Sequence, residues 1–122
     1  MLKQAAERVA AGETVTFRPT GNSMVPLVRS RDEVVVAPVD HSLLVVGDIV
    51  LAKVAGNVYL HLVKALDPTK GRVQIGNNRG RINGWTSADR VYGIAISVTG
   101  NERAGARARS RLSPTGPRPE PT

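Results

Sequence analysis

The chain contains no cysteine. Disulfides, thiolate metal sites and a cysteine nucleophile are excluded together, and a cytoplasmic location is expected. Aromatic residues are scarce, with one Trp, two Tyr and one Phe among 122 residues. The core must therefore be assembled from Val, Ile, Leu and Ala. Branching at Cβ suits Val and Ile to the pleated surface of a sheet. There are only two histidines, far apart in sequence, which argues against a multi-histidine metal site; neither metal nor cofactor is expected. Long apolar runs are missing too. The longest, such as residues 42–46 and 48–52, fall far short of the roughly 20 residues needed to cross a bilayer. The first dozen residues lack the apolar stretch of a secretory signal. A soluble chain with no membrane partner is the expectation.

What remains is enough for one domain with one modest core. The formal net charge is +7. Residues 101–122 hold five of the 17 basic and two of the 10 acidic residues, which leaves the body 12 basic and eight acidic, a surplus of four. Without clustered Lys/Arg or stacking aromatics, that surplus does not point to nucleic acid. Nucleic acid is not expected as a partner, weak contacts of the tail excepted.

Hydrophobic periodicity predicts a mainly β fold of about six strands with one short N-terminal helix. Leu2, Ala5, Ala6, Val9 and Ala10 recur at helical spacing, so residues 1–12 form the helix, with Gly12 as its cap. A β domain over 13–99 follows. Alternation or β-branched runs predict strands at 13–18, 33–39, 48–55, 58–66, 72–75 and 90–98. Gly56-Asn57 is the turn signal between the third and fourth of these. Residues 76–89, rich in Gly, Asn and Arg, read as a loop. Residues 100–122, where alternating Arg and Ala give way to Pro-rich sequence, read as a disordered tail.

One segment carries chemistry: Gly21-Asn22-Ser23-Met24-Val25-Pro26. A serine hydroxyl is a weak nucleophile until a base takes its proton. Gly21 permits a tight turn beside Ser23, and Pro26 stiffens the exit. A bend there can present the hydroxyl and leave backbone N–H groups, that of Ser23 first, to stabilise an oxyanion. Lys53, His61 and Lys64 are the candidate bases. With Gly56-Asn57 as a two-residue turn, Ala55 faces Val58, Val54 faces Tyr59, Lys53 faces Leu60 and Ala52 faces His61. Directly opposed residues share a sheet face, so Lys53 and Lys64 project away from His61, and His61 shares its face with small Ala52. An imidazole also needs little adjustment to accept a proton near neutral pH, whereas a lysine must be desolvated first. The candidate pair is Ser23 and His61. His41, between Asp40 and Ser42, reads as a solvated loop residue.

Gly-x-Ser-Met-x-Pro resembles the nucleophile motif of the superfamily of type I signal peptidases and self-cleaving SOS repressors. Arg31-Asp32-Glu33-Val34-Val35-Val36 and Gly47-Asp48-Ile49-Val50 are similar to its two Gly-Asp strand starts. Tyr59-Leu60-His61-Leu62-Val63 falls on the strand that supplies the base. The resemblance covers residues 13–98 and implies a small peptidase-like β fold of the histidine type, cutting extended peptide segments. Three departures stand out. The histidine-type members have acidic candidates around a Gly-Asp-Asn segment, where this chain has Gly76-Asn77-Asn78; Asn77 or Asp89 is then the group left to orient the imidazole. Leu62 follows His61 where an arginine is usual. Gly21 replaces a serine that helps form the oxyanion hole in some relatives.

Three functions follow from these residues. The first is a soluble serine endopeptidase with a Ser23–His61 pair acting on a protein or peptide, with its own chain among the substrates; Ala11-Gly12 and Ala104-Gly105 are the candidate bonds. The second is a peptidase-fold module that binds or regulates without catalysis. The third, a DNA-associated regulator, is disfavoured, because the roughly ten helical residues before the first strand are too few for a helix-turn-helix.

Overall fold

The computed structural model describes residues 2–111. It is a mainly β domain: one antiparallel sheet of eight strands and a single short N-terminal α-helix. The helix α1 spans Leu2–Ala10 and buries Ala5, Ala6 and Val9, the face its spacing anticipates. The strands are β1 (Val15–Phe17), β2 (Val34–Pro38), β3 (Ile49–Val54), β4 (Asn57–Asp67), β5 (Arg72–Gly76), β6 (Ile82–Ser87), β7 (Val91–Val98) and β8 (Asn101–Glu102). Their spatial order is β1-β2-β7-β3-β4-β5-β6, with β8 beside β7. No helix among the described residues is long and apolar enough to span a membrane.

β3 sits near the middle of the sheet and is apolar on both faces, as a strand covered on both sides must be. Ile49 and Leu51 pack with α1, Met24, Val28, Leu60 and Leu62. Val50, Ala52 and Val54 pack with Val63, Val73, Ile75, Val91, Ile94 and Ile96. Burial of each large aliphatic side chain contributes about 1.5–3 kcal/mol, so these two clusters hold the sheet from either side. α1 comes so close to β7 that a Cβ at Gly93 would lie 2.6 Å from Val9 Cγ1 and 2.6 Å from Val36 Cγ1. The far end of the sheet curls back: Thr86 Oγ1 on β6 donates to Lys53 O on β3 at 2.7 Å.

Three expectations are corrected. The β3–β4 turn is Ala55-Gly56, not Gly56-Asn57: Val54 pairs with Asn57, and His61 pairs with Val50 rather than Ala52. Both turn residues have positive φ, 50° and 86°, as a two-residue turn matching strand twist demands. Gly56 therefore occupies the second turn position and Asn57 begins the strand. The displacement is two residues, an even number, so the faces are unchanged: Lys53 pairs with Val58 and still projects away from His61. Lys64 falls in a bulge between Val63 and Ala65.

The second correction concerns residues 76–89, which contain β6 rather than a continuous loop. The third concerns residues 100–111, which are ordered. There β8 pairs with β7, Ser110 bridges Val39, and Ala106 is buried. Arg109 forms a double-ended pair with the buried carboxylate of Asp48 through Nε and Nη2. Residues 112–122 of the expected tail lie outside the described residues.

Candidate active site

The loop between β1 and β2 is a short coiled turn fastened at several points. Gly21 has φ +104°, a conformation that L side chains resist. Beyond it Met24 and Val28 are buried in the α1-side core, and Val28 N–H donates to Met24 O at 3.0 Å. Arg31 N–H closes the loop on Pro19 O at 2.7 Å. Asn78, from the β5–β6 connection, ties it to the sheet: its backbone N–H donates to Ser23 O at 2.9 Å and its Nδ2 to Val25 O at 3.0 Å. Ser23, between these fastenings, is half-buried.

His61 arrives from the opposite direction, on β4. Its neighbours Leu60 and Leu62 face the α1-side core, which explains why an apolar residue follows the histidine. The imidazole projects to the other face, in parallel contact with Tyr59, the ring centroids 5.0 Å apart and the planes 21° from parallel. Nε2 of His61 lies 3.2 Å from Ser23 Oγ. The geometry thus brings together the two residues that the sequence selects, 38 positions apart.

Neither expected orienting group touches the ring. Asn77 Oδ1 accepts from the backbone N–H groups of Arg79 and Arg81 at 2.8 and 3.0 Å, so it shapes its own turn. Asp89 lies in a 3₁₀ turn, Ala88–Arg90, with its carboxyl held below the usual range mainly by a hydrogen bond from Ser87. The residue at Nδ1 is Asn83, its Oδ1 2.6 Å away. Asn83 stands in a bulge, between Ile82 opposite Gly76 and Gly84 opposite Ile75. A bulge re-aims a side chain that regular alternation would send elsewhere. The signal in the sequence, an Asn-Gly pair inside a polar stretch, reads equally well as a loop.

The contact to Asn83 determines the tautomer. Nδ1–H donates to Asn83 Oδ1, which leaves the Nε2 lone pair to accept from Ser23 Oγ–H. Burial pushes the His61 pKa below its ordinary 6.5, opposed in part by the hydrogen bond to Asn83. The imidazole is consequently neutral and basic at pH 7. Among the described residues, the backbone N–H groups of Ser23 and Met24 have no protein acceptor. Ser23 and His61 open into a cleft of about 90 Å³, whose walls include Leu2, Met24, Val28, Tyr59 and Leu60. The other histidine, His41, is exposed in its 3₁₀ turn, with Nε2 2.8 Å from Val91 O. No cluster of three or more metal-ligating side chains occurs among the described residues.

No family model, curated protein or solved structure matches this chain. A hydroxyl hydrogen-bonded to an oriented, neutral imidazole, with unused N–H groups beside it and a partly apolar cleft in front, is an arrangement suited to acyl transfer.

Proposed function

We propose that the chain is a serine peptidase of the signal-peptidase and SOS-repressor type, cutting extended protein or peptide segments in the cytoplasm. The observation that carries this reading is the 3.2 Å approach of Ser23 Oγ to His61 Nε2, with Asn83 holding the far side of the ring at 2.6 Å. In the first half-reaction Ser23 Oγ attacks the peptide carbonyl while His61 Nε2 takes its proton. The Ser23 N–H donates to the oxyanion that forms. His61 then returns the proton to the amine as the C–N bond breaks, leaving an ester on Ser23. Water, deprotonated by the same Nε2, hydrolyses the ester and restores the hydroxyl.

The substrate is a separate chain. Ala104-Gly105 belongs to the ordered segment that Arg109 fastens, with Nη2 donating to Ala104 O at 3.3 Å. Ala11-Gly12 lies in the turn that closes α1, where Gly12 N–H donates to Val9 O at 3.0 Å. Neither bond is presented as an extended strand.

A second reading has one observation in its favour: Nδ1 meets an amide, not a carboxylate. A neutral partner stabilises the imidazolium less than an anion does, which suits a module that binds peptides without cutting them. A fluorophosphonate probe separates the two. The peptidase reading expects stoichiometric labelling of the wild type and none of Ser23→Ala. A wild type that stays unlabelled over hours, with its fold intact, would overturn that reading and leave the binding module.

A further inference from the structure

The cleft in front of Ser23 has one permanent charge on its walls, Arg29. No carboxylate lines it, and the rest of the wall that a bound segment would meet is mostly apolar. Arg29 is exposed, six residues beyond Ser23 on the same fastened loop, and its backbone N–H is held by Asp32 Oδ2 at 2.8 Å. Its guanidinium enters no ion pair and no side-chain hydrogen bond among the described residues. Asp32 and Glu102 line an adjoining groove that Arg29 also borders, but Glu102 is already paired with Arg107 through two bonds of 3.2 and 3.1 Å. A planar guanidinium with five donors, on a residue that lines the cleft and without an acceptor among the described residues, is suited to a carboxylate.

We propose that Arg29 is a specificity-determining residue that selects acidic peptide segments, by pairing with an Asp or Glu side chain close to the scissile bond. This rests on the peptidase reading and names its substrate class. The loop makes the selection local, because Ser23 and Arg29 stand on one loop fastened by hydrogen bonds. The surplus of positive charge over the chain, +7 in total, adds long-range attraction for the same substrates. A lysine in place of the acidic residue meets repulsion instead, so one side chain supplies both attraction and rejection.

The experiment uses three peptidyl alanine diphenylphosphonates that carry Asp, Asn or Lys at the second or third residue from the phosphonate. The second-order rate of Ser23 labelling is measured for each. The Asp probe should react roughly tenfold faster than the Asn probe, the value of one charge-assisted hydrogen bond, and the Lys probe slowest. Arg29→Gln should lower the Asp-to-Lys ratio roughly tenfold, leaving only the long-range preference, and Arg29→Glu should lower it further. The ratio within one variant is insensitive to any general loss of activity. Equal rates with Asp and Lys in the wild type, or an unchanged ratio in Arg29→Glu, overturn this inference alone. Failure of all three probes to label overturns the peptidase reading and takes the inference with it.

Discussion

His61 Nδ1 and Asn83 Oδ1 stand 2.6 Å apart, and this contact decides which imidazole nitrogen faces Ser23. An amide oxygen accepts a hydrogen bond and has no proton to donate, so the ring is held in the Nδ1–H tautomer. Asn83→Ala removes that constraint along with the hydrogen bond that raises the His61 pKa. Turnover of a cleaved peptide should fall about 10²-fold in kcat, with KM little changed, since orientation matters most in the transition state. Asn83→Asp should act differently: an anion beside the ring favours the imidazolium and moves the acidic limb of the pH profile upward. Kinetics of both variants from pH 5 to 9 provide the check, and an Asp variant with an unmoved limb would refute the assigned contact.

The same ring links pH to stability. Burial lowers the His61 pKa in the folded protein below its ordinary 6.5. Between the folded and unfolded values the unfolded chain binds more protons, so stability rises with pH there. The contribution is therefore complete above about 6.5 and is lost as pH falls through the depressed folded value. The peptidase reading requires kcat/KM of the free enzyme to follow the same titration, flat near pH 7 and declining on acidification with a midpoint below 6.5. His61→Gln should abolish turnover and remove this component of the acid destabilisation. Thermal unfolding of both proteins from pH 7.5 to 5 tests it: parallel curves would show that His61 does not titrate as its burial requires.

Asn78 fastens the nucleophile loop through two atoms, and only one depends on its side chain. Asn78→Ala keeps the backbone bond to Ser23 O but loses the 3.0 Å bond to Val25 O. The expected stability cost is about 1 kcal/mol, while kcat falls about tenfold because the hydroxyl is held less closely over His61. Urea denaturation and peptide kinetics measured together distinguish this from a purely structural role, which would leave kcat intact.

Periodicity reveals the parts of this fold that bury apolar faces and misses those held by single polar contacts. α1 and six of the strands are legible because Val, Ile and Leu mark their inward positions. Ser23 and His61 are legible because a flexible turn, a hydroxyl and a strand imidazole are chemically conspicuous. β6 is not: in Ile-Asn-Gly-Trp-Thr-Ser only Thr86 is buried, and its place depends on sheet curl and one hydrogen bond to Lys53. Asn83 is hidden for the same reason, since its aim is set by a bulge and not by alternation. The Ala55-Gly56 turn escapes notice because alanine rarely takes a positive φ.

The ordered residues after β7 are the least legible part. Alternating Arg and Ala carries no period of a packed element, yet Arg109 reaches Asp48, 61 positions earlier. Asp48 is 2% exposed and its Oδ2 also accepts from Val45 N–H at 3.0 Å, so its carboxylate needs a cation in place. Removing one partner of a buried ion pair strands the other and costs about 3–5 kcal/mol. The Arg109 side chain keeps 20% exposure, which admits some water and puts Arg109→Ala near the lower end of that range. Truncation after Val98 should cost more, because it also removes Ala106, β8 and the Ser110 bridge to Val39. Truncation after Arg111 keeps all three contacts, so the difference between the two truncations measures what residues 99–111 contribute. Urea unfolding of the three variants decides the matter: a Val98 truncation as stable as the full chain would mean that the Arg109–Asp48 contact holds nothing together.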